Sequence, residues 1–211
     1  MDYIPKYKYI PPVSWHILTP IYDLFCAMLG FGKSFRKRIL NSVKLEDGFL
    51  VADIGCGTGV FLEVAKKQFP GVNFIGVDPD AQALNIAGYR FDKAGLVVEL
   101  KEAFGEALSI ADESIDVSFS TLAFHHMPDE VKYKAIGQMH RILKPGGVMV
   151  ITDFGETKGM QFWLAHLLKK HAYTKGNLEG LIPEYIQRAG FKNCQITGNS
   201  FSGIKIIKAQ K

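Results

Sequence analysis

Cysteine is scarce in this chain, and what there is does not form a pattern. Cys26, Cys56 and Cys194 are an odd, widely spaced set without a C-x-x-C pair, so neither a disulfide framework nor a zinc site is expected. Free thiols fit a reducing interior, and the cytoplasm is the default expectation. Long apolar runs are missing too. The opening MDYIPKYKYIPP has no apolar h-region, and the stretch from Trp15 to Phe31 is interrupted by His16, Pro20 and Asp23, which argues against a signal peptide or a membrane span. Nor is there a block of one charge sign. The net charge of +4 arises from 25 basic residues scattered among 21 acidic ones, so a nucleic-acid partner is not expected. Internal repeats and low-complexity tracts are absent.

What is present is enough apolar residue for one sizeable core in 211 residues. Pro5, Pro11 and Pro12 keep the first dozen residues out of helix, and from about Ser14 to Val43 apolar residues recur at helical spacing, with Gly30 and Gly32 as a break. Residues 1–45 therefore read as an arm and helical extension, and 46–211 as the main domain. From there the texture changes. FLVADI, NFIGVD, LVVELK, IDVSFS and GVMVITDF are short runs rich in β-branched or aromatic residues, separated by segments of helical period. Such alternation predicts an α/β fold, a mostly parallel sheet with helices on both faces. Phe61, Val64, Ala65 and Phe69 form one helical stripe, and Val131, Ala135, Ile136, Met139, Ile142 and Leu143 another. LKPGG, at Leu143 to Gly147, reads as the turn into the fifth strand. Near the end, Pro183 and Gly190 bracket a short helix, and two strands are expected at about 193–197 and 203–208.

The most informative stretch is Val51-Ala52-Asp53-Ile54-Gly55-Cys56-Gly57-Thr58-Gly59, where an apolar strand ends in a glycine-rich turn leading into a helix. A loop of this kind brings backbone close to a ligand. The dinucleotide fingerprint G-x-G-x-x-G would need a small residue at position 60, which is Val60, while Gly59 comes one residue early. Asp53 stands just before the loop, where a carboxylate repels a pyrophosphate but attracts a ligand ammonium, directly or through water. Alternatively, Asp53 caps the turn by accepting from loop N–H groups. The next strand ends at Asp78-Pro79-Asp80. Asp78 is placed to accept hydrogen bonds from vicinal ribose hydroxyls, and Asp80 to cap the helix from Ala81.

With VADIGCGTG, GVDPD, IDVSFSTLAFHHMPDE and RILKPGGVMVITDF in order over Phe49 to Asp153, the sequence resembles the class I S-adenosylmethionine (SAM) dependent methyltransferases. Within them it is similar to the group that contains the ubiquinone and menaquinone C-methyltransferases and many small-molecule enzymes. The resemblance implies a Rossmann-like sheet of seven strands, the last antiparallel, with SAM as cofactor across the ends of the first, second and fourth strands. It assigns Asp53, Gly55, Cys56, Gly57 and Thr58 to the methionine moiety and Asp78 and Pro79 to the ribose. Tyr22, followed by Asp23, becomes a lid over the cofactor. Phe104 and Gly105 fall at the adenine position, where the family has an acidic residue followed by a small one. The usual carboxylate is thus missing. Phe104 either stacks on the purine or is an ordinary buried phenylalanine, and Glu102 or Glu106 is a candidate substitute. Ser120, Thr121 and Leu122 line the methyl end.

His125 and His126 follow the fourth strand, and one of them is a candidate general base, since a histidine titrates near neutrality. Equally, either packs or caps the turn at Pro128-Asp129. A metal role is not expected, because no third ligand stands at a recognisable spacing. By the same resemblance, the N-terminal extension and residues 155–181 build the acceptor pocket. Both are aromatic, with Tyr3, Tyr7, Tyr9, Trp15 and Phe25 in one and Phe154, Phe162, Trp163 and Tyr173 in or beside the other. A small lipophilic or aromatic acceptor is favoured: a quinone precursor, phenol, amine or lipid headgroup. Lys33, Arg36, Lys37 and Arg38 leave a peripheral membrane contact open. Oligomeric state has no sequence signal. The competing readings are a SAM-binding module without catalysis and another nucleotide-binding enzyme of the Rossmann type.

Overall fold

The structure, a computed structural model, describes residue 7 and residues 32–156, 173–197 and 203–211. The chain runs α1 (Lys33–Leu40), β1 (Leu50–Ile54), α2 (Val60–Gln68), β2 (Asn73–Asp78), α3 (Ala81–Ala94), β3 (Glu99–Glu102) and β4 (Ile115–Thr121). A 3₁₀ turn over Phe124–His126 leads to α4 (Asp129–Ile142) and β5 (Leu143–Phe154), followed by α5 (Lys175–Leu178), α6 (Ile182–Arg188), β6 (Lys192–Thr197) and β7 (Ile204–Gln210). The seven strands form one sheet in the order β3-β2-β1-β4-β5-β7-β6. Only β7 runs against its neighbours, pairing antiparallel with both β5 and β6. The expected α/β architecture, with its last strand reversed, is the one observed. Most of the N-terminal extension and of residues 155–181 lies outside the described residues, so the domain division stays an expectation.

Strand alternation builds two cores. Ala52, Ile54, Ile75 and Val77 face α4 and α6, meeting Ala135, Ile136, Met139 and Ile186. Val51, Phe74, Val117 and Phe119 face the other way, toward Ile39, Leu40, Phe61, Leu62, Ala65, Ala87 and Phe91 of α1 to α3. The second stripe read from the sequence is thus buried, as are Phe61 and Ala65 of the first, with Val64 and Phe69 half-buried against the core, because a helix on a parallel sheet must hide one face.

Two local expectations are corrected. LVVELK was read as the third strand, but pairing begins only at Glu99 and Val97 is 84% exposed. Gly95 caps α3 in the left-handed region, and the amide of Leu96 closes the helix end on the carbonyl of Phe91, so the first residues of the run finish the helix and connect it to the strand. LKPGG is not simply a turn before the fifth strand. Leu143 already pairs with Ile115, and the next partner pair is Val117 with Val148, so Lys144 to Gly147 bulge out of a strand already begun. Asp116 secures this edge by accepting from the amide of Leu50 (2.8 Å) and pairing with Lys144 (2.6 Å). No helix among the described residues is long and apolar enough to cross a membrane.

Candidate active site

The chain leaves β1 toward β2 on one side and returns through β4 on the other, which opens a crevice above the carboxyl ends of β1, β2 and β4. Asp53 and Asp78 stand there on one face. Asp53 is opposite Gly76 in register, so Asp78, two residues further, lies one alternation along the adjacent strand. Asp53 is 1% exposed, and its Oδ1 has no hydrogen-bond partner among the described residues. Burial, reinforced by the charge of Asp78, pushes its carboxyl up to about 8. Asp78 is better provided for. Its Oδ2 accepts from the amide of Gly57 (2.8 Å) and its Oδ1 from the amide of Asp80 (2.9 Å). Burial raises its carboxyl to about 6, against the pull of those two N–H groups.

The turn-capping role considered for Asp53 therefore falls to Asp78, across the strand. The amides of Gly55 and Cys56 donate to the carbonyl of Val77, so the whole loop is laced to the end of β2. Gly55 and Gly59 both have positive φ. A Cβ on Gly55 would collide with Ala123 after β4, and one on Gly59 would come within 2.6 Å of Phe91 and 2.9 Å of Ala87. Gly59 is thus the contact at which α2 and α3 approach, which is why the glycine falls before Val60. Beside Gly57 there is open space. Thr58 is half-buried, and its carbonyl accepts from Arg90 Nε (3.0 Å), whose guanidinium also meets Glu63 (3.2 Å). Cys56 is buried, and burial drives its thiol up, keeping it neutral. Asp80 caps α3 as expected, accepting from the amides of Gln82 and Ala83, and half-buried Pro79 separates it from Asp78.

After β3, Phe104 is half-buried and Gly105 is packed between Ala135, Ile54 and Met127. Glu102 is exposed and pairs in register with Asp78, whereas Glu106 is half-buried. The following loop is held from below by Arg141, which donates to the carbonyls of Leu108 and Ile110 and pairs with Asp112.

At the end of β4 the residues divide. Ser120 is buried, and its hydroxyl donates to the carbonyl of Ile54 (2.7 Å), tying β4 to β1. Half-buried Thr121 keeps a hydroxyl without a partner among the described residues. Leu122 adopts a φ of 56°, unusual for a residue with a Cβ, and its amide reaches the carbonyl of Thr152. His125 Nδ1 lies 2.9 Å from Asp153 Oδ1, and the His125 amide donates to Asp153 Oδ2 (3.2 Å). The His126 ring centroid is 4.0 Å from that of His125. Tyr22 lies outside the described residues. Asp153 and Arg90 were not singled out from the sequence. For Asp153 the signal was present: it is an acidic residue closing an apolar strand, as Asp53 and Asp78 are.

Residues 51–147 match the model of a methyltransferase domain family. A demethylmenaquinone methyltransferase from Thermus thermophilus is 30% identical over 139 residues, covering 65% of this chain and 62% of the relative. The chain thus spans somewhat less than two thirds of that protein. A ubiquinone/menaquinone biosynthesis C-methyltransferase from Campylobacter jejuni is 26% identical over 92% of this chain and 94% of its own length. Among solved structures, a phosphoethanolamine N-methyltransferase of Haemonchus contortus, in complex with S-adenosylhomocysteine, superposes with a TM-score of 0.68 at 27% identity, covering 79% of this chain and 39% of that one. A glycine loop between two strand-end carboxylates, on a seven-stranded sheet with one reversed strand, thus lies within a segment that matches a methyltransferase domain family, and the chain is similar to SAM-dependent methyltransferases in sequence and in fold.

Proposed function

We propose that this chain is a class I SAM-dependent methyltransferase that transfers the SAM methyl group to a small, lipophilic aromatic acceptor, a quinol or phenol, at carbon or oxygen. The observation that carries cofactor binding is the pair of buried carboxylates at the loop. A desolvated Asp53 with an unpartnered oxygen fits a cationic group, and SAM brings an ammonium beside its sulfonium. Asp78 holds Gly57 and Asp80 with one lone pair on each oxygen, which leaves acceptor capacity for two ribose hydroxyls. The open space beside Gly57 suits a ligand lying against the backbone, with Gly55, Cys56 and Thr58 around the methionine portion and Pro79 beside the ribose. Phe104 and Gly105 border the purine. Ser120, Thr121 and Leu122 line the methyl end.

SAM supplies an electrophilic methyl: the acceptor's electron pair forms the new bond, the carbon–sulfur bond breaks onto sulfur, and a phenolic acceptor loses one proton. The chain's residues align the partners, and His125 or His126 takes the proton. The acceptor class is supported by the rim histidines and by the quinone-methylating names of the relatives that cover most of the chain.

Two measurements test this reading. Calorimetry should show saturable binding of S-adenosylhomocysteine and none of NAD. Incubation with methyl-labelled SAM and a short-chain demethylmenaquinol, kept reduced, should move label into the quinol. Binding of NAD alone would remove the cofactor assignment, and S-adenosylhomocysteine binding without label in the quinol would remove the acceptor class.

A further inference from the structure

We propose that Asp153 is a positioning residue that holds the Nδ1–H of His125 and so presents His125 Nε2, rather than His126, as the base that takes the acceptor's proton. The proposal rests on the reading of a rim histidine as the base and decides which one, and through which nitrogen.

Three hydrogen bonds converge on the Asp153 carboxylate, from His125 Nδ1 and from the amides of His125 and Phe154 (2.7 Å). An ionised carboxylate can only accept, so His125 Nδ1 carries the hydrogen, and a neutral His125 must have its lone pair on Nε2. Burial alone would raise Asp153. The charge and hydrogen bond of His125, with the two amides, instead hold it below the ordinary carboxylate range, so it stays ionised beside the imidazole. Among the described residues Nε2 has no hydrogen-bond partner, and the side chain is 13% exposed.

The ring cannot swing freely. It is edge-on to Phe154 at 5.0 Å and tilted against His126 at 4.0 Å. Asp153 closes β5 directly beside β4, and Thr121 pairs with Thr152, so the dyad sits next to the residues assigned to the methyl end. Among the described residues, Lys205 of β7 pairs in register with Asp153. His126 adjoins from the same turn, and Lys132 of α4 faces Asp153 electrostatically, its ammonium held by Asp129 (2.7 Å) and the carbonyl of Tyr173 (2.7 Å).

In the reaction, the acceptor hydroxyl gives its proton to Nε2 as the acceptor's oxygen or ring carbon bonds to the methyl carbon and the methyl–sulfur bond breaks onto sulfur. After attack by carbon, the hydrogen on that carbon is lost and one returns to the oxygen, so that one proton is released in all. Asp153 remains unprotonated and stabilises the imidazolium, which returns the proton to solvent after the methylated acceptor leaves. A weakly acidic quinol or phenol needs this device; an amine already neutral does not.

The first test needs no acceptor. Nitrogen-15 NMR of histidine-labelled protein with neutral imidazoles should show the Nδ1–H tautomer of His125 in the parent and the Nε2–H tautomer in Asp153→Asn, whose amide can donate to Nδ1. An Nε2–H tautomer in the parent would overturn the proposal. In the second test, with short-chain demethylmenaquinol, Asp153→Asn and His125→Gln should each lose about 10²–10⁴-fold in kcat and the double variant no more, with S-adenosylhomocysteine affinity unchanged. A switched tautomer with undiminished kcat would make Asp153 structural. Loss on His126→Gln but not His125→Gln would sink the choice of base while leaving the methyltransferase reading intact.

Discussion

The amide of Gly57 donates to Asp78 Oδ2 over 2.8 Å, so the carboxylate proposed to hold the ribose also fastens the glycine loop. On that proposal cofactor affinity and loop order are coupled through one side chain. Asp78→Ala should weaken S-adenosylhomocysteine binding by roughly ten- to a hundredfold, and Asp78→Asn by less, because an amide oxygen can still accept from one N–H. Calorimetry on both variants, with hydrogen exchange at Gly57, reads the two effects. Unchanged affinity in the alanine variant would leave Asp78 with the loop alone.

Asp53 should oppose stability where it serves binding. Its carboxyl is raised to about 8 by burial and by Asp78, so between about pH 4 and 8 the folded chain holds more protons here than the unfolded one. Stability from this group is then lost as pH rises through that window. Asp53→Asn should melt higher than the parent at pH 8 and about equally at pH 4, while binding S-adenosylhomocysteine more weakly. A variant that melts lower than the parent at both pH values would contradict a desolvated, unpartnered carboxyl.

Binding should also release a proton. If the ligand ammonium meets Asp53, the carboxyl that is largely protonated at pH 7 must ionise, and the observed binding enthalpy will depend on the ionisation enthalpy of the buffer. The dependence should be absent in Asp53→Asn. Equal enthalpies in phosphate and Tris for the parent would exclude a direct ionic contact.

Two glycine substitutions should differ in sign. Gly59→Ala places a Cβ against Phe91 and Ala87 at a φ of +74° and should cost about 2–4 kcal/mol. Gly137→Ala, inside α4 with nothing within 4 Å of the added carbon, should stabilise by about 0.5–1 kcal/mol. Urea unfolding of both variants provides the comparison.

Arg90 braces the loop from α3 through the carbonyl of Thr58 and the carboxylate of Glu63. Arg90→Ala should lower S-adenosylhomocysteine affinity about three- to tenfold, without direct contact to the ligand, and Arg90→Lys should not restore it, since an ammonium lacks the fork that reaches both groups. Full affinity in Arg90→Ala would show that the loop holds its shape unaided.

Local features of the sequence settled a good deal of this protein. Apolar runs at period two and stripes at period 3.6 located the strands and helices, because burial on one face is imposed residue by residue. Asp80 before Ala81 declared a helix cap, and the glycines after Asp53 declared a tight loop, since both reflect backbone chemistry within a few residues. Even the error at LVVELK was local: the same apolar residues serve a helix terminus as readily as a strand, and Gly95 decided between them. Tertiary structure alone decided which groups meet. Asp78 reaches Gly57 across 21 residues, Arg90 reaches Thr58 across 32, and Asp153 reaches His125 across 28. Each contact depends on which strands become neighbours in the sheet: β1 and β2 for the first two, β4 and β5 for the third. Strand order is fixed by packing of the whole core, and no pattern within a single segment encodes it.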